Sequence, residues 1–187
     1  MNSETLLSVC LGVALAAACG FRVFVPLLVL SLAGQGGYVE LALRFEWIAS
    51  TPATWTFAAA TLLEIAAYYV PWVDNLLDSM ASPVAVVAGA VAAASVMTEV
   101  DPFLKWTLAI VAGGGAAGAV QTVTAGTRGA SSLLTAGLAN PLVATAEAAG
   151  SVILSVLAIL VPVIAVLALL ALLALALRRV RRRRPAI

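Results

Sequence analysis

Apolar and polar positions come in long blocks along this chain. Thr5 to Leu32 is nearly continuous apolar sequence, and as one helix it would extend roughly 42 Å. The hydrocarbon core of a bilayer is about 30 Å thick, so the block must tilt or break. Gly20-Phe21-Arg22, with Pro26 close behind, supplies the place, because a proline removes a backbone donor and clashes with the carbonyl four residues earlier. Ala33-Gly34-Gln35-Gly36-Gly37 ends the element. Tyr38 to Ser50 mixes Glu40, Arg44 and Glu46 with aromatic and aliphatic residues, which predicts an interfacial helix or loop. A second span is predicted over Pro52 to Val70, capped by Thr51 or Thr54 and ending in an aromatic belt at Tyr68-Tyr69 and Trp72. A third runs from Pro83 to about Met97, almost wholly Ala and Val with Gly89. Such small residues let backbones approach closely inside a bundle. A fourth runs from Phe103 to about Val123 through Gly113-Gly114-Gly115. Asn140-Pro141 reads as a cap and first-turn proline, and Pro162 is the only turn signal before Leu177. One helix of that length would span roughly 55 Å. Leu160-Val161-Pro162-Val163 has no polar residue to make a turn. The favoured expectation is therefore five crossings with a kinked last helix, and six is the alternative.

Two interruptions organise the chain. One is Cys19-Gly20-Phe21-Arg22; the other is Thr124-Ala125-Gly126-Thr127-Arg128-Gly129-Ala130-Ser131-Ser132. A bilayer core tolerates broken backbone and charge only where protein or a wet cavity surrounds them. A shift of 106 positions lays Gly20 on Gly126, Arg22 on Arg128 and Leu27-Leu28 on Leu133-Leu134. Three spans separate the copies, so the second copy would run in the opposite direction. The expected architecture is an all-α polytopic membrane bundle with two broken helices in an inverted repeat. Residues 1–98 and 99–178 are the halves of one transmembrane domain, and 179–187 is a basic tail.

Composition agrees with this solvent. Of 187 residues, 63% are hydrophobic and 10% charged, with a mean hydropathy of +1.10; a soluble domain carries about 25% charged residues. Six arginines cluster in Arg178 to Arg184. Such a run beside an apolar helix marks the cytoplasmic side and suits anionic headgroups better than nucleic acid. Cys10 and Cys19 are too few for a disulfide framework. The chain has no histidine, so it lacks the commonest general base and transition-metal ligand. Met1-Asn2-Ser3-Glu4 has no positive charge of the kind that opens a secretion signal, and the first span is expected to stay uncleaved.

Four ionisable residues lie deep in apolar sequence: Arg22, Glu64, Arg128 and Glu147. A charge at the bilayer centre costs at least about 2.5–3.5 kcal/mol, so pairing is expected, Arg22 with Glu64 and Arg128 with Glu147 or the crossed pairs. Such pairs either fix helix register or form a site, with Gly20 and Gly126 freeing backbone beside the arginines and a glutamate exchanging a proton. Asp74 and Asp78 are four apart, on one face if helical, and are a weak candidate Mg²⁺ site at the membrane edge. The bland reading, a solvated acidic edge, is the stronger one. No serine, cysteine or aspartate nucleophile has a recognisable partner, so no catalytic residue is assigned, and no cofactor is expected.

Pro71-x-x-Asp74-x-x-x-Asp78, with Glu64 before it and Pro83 after it, resembles a bacterial membrane family described as domain of unknown function 4126. The stretches around Gly126-x-Arg128 and Asn140-Pro141…Glu147 are similar to that family as well. The chain departs from it in having Tyr68-Tyr69 in place of a charged pair and Ser82 in place of an arginine. The resemblance implies an integral membrane protein and names no substrate.

These readings lead to a small transporter or channel for an anionic solute, in the bacterial inner membrane with a cytoplasmic C-terminus. Arg22 and Arg128 would contact the solute, and Glu64 and Glu147 would balance charge. Its partners would be the lipid bilayer, a small-molecule or ion substrate and a second copy of the chain, packed through Gly- and Ala-rich faces. The alternatives are a non-transporting membrane scaffold and, behind it, a Mg²⁺-dependent lipid enzyme.

Overall fold

The computed structural model describes residues 2–69 and 71–182; the side chains of 71–79, 177 and 179–182 lie outside the described set. The chain is an all-α bundle with no strand among the described residues. Its helices are α1 (Ser3–Cys19), α2 (Phe24–Gln35), α3 (Thr51–Ala67), α4 (Pro71–Val96), α5 (Pro102–Leu108), α6 (Gly115–Thr135), α7 (Asn140–Leu160) and α8 (Pro162–Arg182). A 3-10 turn over Glu46–Ala49 leads into α3, and a π-helical stretch, Ala109–Gly114, joins α5 to α6.

Small residues draw the centre together. A Cβ on Gly12 would stand 3.0 Å from the Ala93 carbonyl oxygen, one on Gly89 2.6 Å from the Ala117 Cβ, and one on Gly113 2.7 Å from the Ala93 Cβ. Gly12 meets Ala93 while Ala16 meets Gly89, so α1 and α4 run antiparallel. These Gly- and Ala-rich faces pack against one another within the chain.

α1 and α2 form a hairpin. Glu4, Thr5 and Ser8 at the start of α1 share a hollow of about 290 Å³ with Glu40, Thr98 and Glu99. The Ala42 N–H donates to the Ser95 carbonyl at 2.7 Å. Both arms therefore end at one end of the bundle, and Gly20 to Val23 form the tip within it. Gly20 is required there, because a Cβ would lie 2.4 Å from the Ala117 carbonyl oxygen and 2.7 Å from the Val120 Cβ. α3 returns antiparallel to α2: the Ser31 and Thr54 hydroxyls are 2.6 Å apart near one end, and Glu64 reaches Val23 and Phe24 near the other.

Several boundaries differ from the sequence pattern. The turn precedes Pro26, which lies inside the first turn of α2, where its missing N–H leaves no intrahelical bond unmade. Ser50, and not Thr51 or Thr54, caps α3, its Oγ accepting from the Ala53 N–H at 3.3 Å. α4 starts at Pro71 and carries Pro83 inside it. The expected single kinked helix after Asn140 is two helices. α7 stops before Val161, which has φ −145° and ψ 76°. Val143 and Ala146 of α7 then line one groove with Ala168 to Ala176 of α8, so α8 folds back along α7. Pro162, placed at the start of α8, makes this turn without a polar residue.

The second interruption is not a break. α6 continues through Gly126, Thr127 and Arg128 to Thr135, and the Thr127 Oγ bonds back to the Val123 carbonyl at 2.8 Å. A glycine inside a helix costs only about 1 kcal/mol, and the arginine is neutralised by a partner.

Pro102–Thr135 and Asn140–Leu160 are long and apolar enough to cross a membrane. Large apolar side chains line much of the outer surface, with Leu133 89%, Leu134 83% and Leu138 85% exposed.

Candidate functional site

The tip of the α1–α2 hairpin meets α3, α6 and α7 at a cluster of charges. The chain leaves α1 with the Gly20 N–H bonded to the Ala17 carbonyl and the Arg22 N–H bonded to that of Ala18. The first donors of α2 are then left over. Glu64 takes two of them: its carboxylate accepts from the Val23 N–H at 2.8 Å and the Phe24 N–H at 3.1 Å. The residue before α2 brings no capping oxygen of its own, so a carboxylate from α3 serves, favoured by the positive end of the helix. Glu64 is thus a cap for the hairpin, and not the ion-pair partner of Arg22 that the sequence predicted.

Arg22 instead points to α7. It is 1% exposed. Its Nη2 donates to the Ala144 carbonyl at 2.9 Å and lies 3.3 Å from Glu147 Oε2. Arg128 reaches the same carboxylate as a fork, Nε to Oε1 at 3.1 Å and Nη2 to Oε2. Arg128 and Glu147 are 4% and 5% exposed. Of the expected pairs, Arg128–Glu147 and the crossed pair Arg22–Glu147 form and Arg22–Glu64 does not; among the described residues Glu147 serves both arginines.

Tyr68 completes the cluster. The guanidinium carbon of Arg22 lies 3.8 Å from the centre of its ring and that of Arg128 3.9 Å, within cation–π range. The sequence pattern assigned Tyr68 to an interfacial belt. The available signal was its spacing from Glu64: four positions on, it continues the same helical face.

Arg22 also carries the cluster's unmet demand. Its Nε and Nη1 are buried and have no hydrogen-bond partner among the described residues. Beside the cluster, α6, α7 and α8 border an open groove of about 650 Å³. Phe21, Thr124, Thr127 and Glu147 contribute to its lining, and the α8 side is apolar.

The remaining candidates lie elsewhere. Gly20 is at the hairpin tip, whereas Gly126 is an exposed residue inside α6 with open space around it, and it frees no backbone for a site. Asp74 and Asp78 fall on α4, with side chains outside the described residues. Cys10 and Cys19 are unpaired.

The geometry defines a helical bundle with a buried arginine–glutamate–arginine cluster at a hairpin tip. A family model described as a domain of unknown function (DUF4126) matches residues 9–182, and the chain belongs to that family. No curated protein and no solved structure matches it.

Proposed function

We propose that this chain is a small integral membrane protein of the bacterial inner membrane that binds an anionic solute at Arg22, Arg128 and Glu147 and moves it across the bilayer. The observation that carries the reading is Arg22, a fully buried guanidinium with two donors unspent among the described residues. A buried unmatched donor costs about 1–3 kcal/mol, and an anion beside it would remove that cost. Gly20 shapes the tip that carries Arg22, and Glu64 holds it in place. Pro102–Thr135 and Asn140–Leu160, each long and apolar enough to cross, would be two of several crossings, with α8 folding back along α7 and the α1–α2 hairpin turning at Gly20. The arginine-rich C-terminus would then face the cytoplasm, opposite the end that holds Glu4. A homodimer would enlarge the enclosed volume.

One observation favours the scaffold reading: Glu147 already closes on both arginines. A thermal-stability screen of the purified protein against small anions, cations and phosphorylated metabolites separates the two. The expected result is stabilisation by an anion that is lost in Arg128→Ala and kept in Asp78→Ala. Stabilisation by Mg²⁺ that is lost only in Asp78→Ala would move the site to α4. If no ligand acts and Arg128→Ala only unfolds the protein, the cluster is a structural staple.

A further inference from the structure

The groove bordered by α6, α7 and α8 opens outward. Its α8 wall is apolar and exposed, with Ala168, Ala171, Leu172 and Leu175 along it. Small side chains make the hollow: Ala146 faces it from α7, while Leu167 and Leu170, next to the α8 alanines in sequence, are exposed large side chains. The α8 residues that line it run from Ala168 to Ala176, a rise of roughly 12 Å in an α-helix. One leaflet of the hydrocarbon core is about 15 Å deep, half of the full thickness. The groove therefore has the length of a lipid chain within one leaflet.

Charge at one end says which lipid. The lining stops at Ala176, and Arg178 follows at once, exposed and still within α8. Ala171 and Arg178 are seven positions apart, two helical turns, so they share a face of α8. Arg178 also opens a run of six arginines over residues 178–184. We infer that the groove binds one anionic phospholipid of the cytoplasmic leaflet, with an acyl chain lying along α8 and the phosphate at Arg178 and the arginines after it. This rests on the membrane location proposed above and is independent of the solute site. A guanidinium pairs with phosphate through a charge-assisted fork, and a basic segment beside a span attracts anionic lipid over zwitterionic lipid. A second copy fits the same face less well. Symmetric packing there would set two arginine runs side by side at one end, like charge against like. The carboxylate of Glu147, which also reaches the groove, is buried and held by Arg128, so it does not oppose the phosphate from the open side. A lipid seated in the groove touches three helices and stabilises the folded chain by mass action.

The test uses the full chain. Its membrane and soluble fractions are separated first, and the protein is then purified in one detergent. Native mass spectrometry counts retained lipid and copies of the chain, and thermal melts read the effect of dioleoyl phosphatidylglycerol against dioleoyl phosphatidylcholine. Wild type is run beside Ala171→Trp, which fills the groove and keeps Arg178, and beside Arg178→Gln. Ala168→Phe is a second filling variant should the first fail to fold. Wild type is expected to retain one phosphatidylglycerol and to melt higher with it than with phosphatidylcholine. Filling the groove should weaken that binding roughly tenfold, the scale of overpacking, and Arg178→Gln should weaken it about fivefold. An equal effect of the two lipids would overturn the anionic headgroup and the inference with it. Phosphatidylglycerol binding that neither filling variant changes would mean that the arginine run binds it without the groove, and would overturn the site. Dimers that dissociate when the groove is filled, with no lipid retained, would give the groove to a second copy. A chain found in the membrane fraction that retains no phosphatidylglycerol would sink this inference alone; a chain found in the soluble fraction would sink the membrane location as well.

Discussion

At the scale of residues, the four deep charges were legible before their partners were. Arg22, Glu64, Arg128 and Glu147 stand out because ionised side chains are costly in apolar sequence, and three of them do meet. What the sequence could not indicate is that Glu64 would be taken by backbone. That depends on the chain turning back at Gly20, which leaves the Val23 and Phe24 N–H groups without intrahelical acceptors. The role is testable. Glu64→Ala should cost about 1–3 kcal/mol of stability, the range for orphaning buried donors. Glu64→Gln, which keeps one acceptor oxygen, should cost clearly less. Denaturant unfolding of the two variants checks the order; an equal loss would mean that the charge matters and the cap does not. Tyr68 was invisible as a site residue for a related reason, since its partners come from the hairpin tip and from α6, far away in sequence.

At the scale of elements, both Gly-x-Arg stretches look like places to break a helix, and the backbone treats them differently. Around Gly20 the polypeptide reverses, and α6 presses so closely that no Cβ fits. Around Gly126 the helix runs on, with nothing within 4 Å of where a Cβ would be. Local composition is the same in the two places, and tertiary packing decides between them. Gly20→Ala should therefore destabilise by about 1–3 kcal/mol through overpacking. Gly126→Ala should be neutral or stabilising by up to about 1 kcal/mol, through helix propensity. Thermal melts of the pair read this directly, and a matching loss in both would mean that Gly126 also sits in a tight contact. The sequence pattern leaves the turn at Val161–Pro162 only as the alternative to one kinked helix. A search for polar turn residues overlooks a hairpin that a proline at the first position of the next helix can make from apolar residues alone. The Ala- and Gly-rich third span was legible, because close backbone approach leaves few other residues admissible.

At the scale of the whole molecule, the α1–α2 hairpin puts Glu4 and Glu40 at one end, while the turn between α6 and α7, at Gly137, lies at the other. Single cysteines at Glu40 and Gly137, introduced after removal of Cys10 and Cys19, should react with a membrane-impermeant maleimide from opposite sides of the cell membrane. Labelling of both from one side would rule out an odd number of crossings between them. The bundle thus directs two arginines and one glutamate to a single interior point beside a groove, and the central claim is that an anion binds there. The most direct measurement is the thermal stability of Glu147→Gln, with and without carboxylate. Removing one member of a buried ion pair costs about 3–5 kcal/mol, so the variant alone should melt well below wild type. A carboxylate at 100 times its dissociation constant should restore about 2.7 kcal/mol, with the arginines taking the anion where the glutamate was. That rescue, larger in Glu147→Gln than in wild type, is the expected result. A variant that melts low and gains nothing from any carboxylate would contradict the account and leave the cluster a salt bridge that holds helices together.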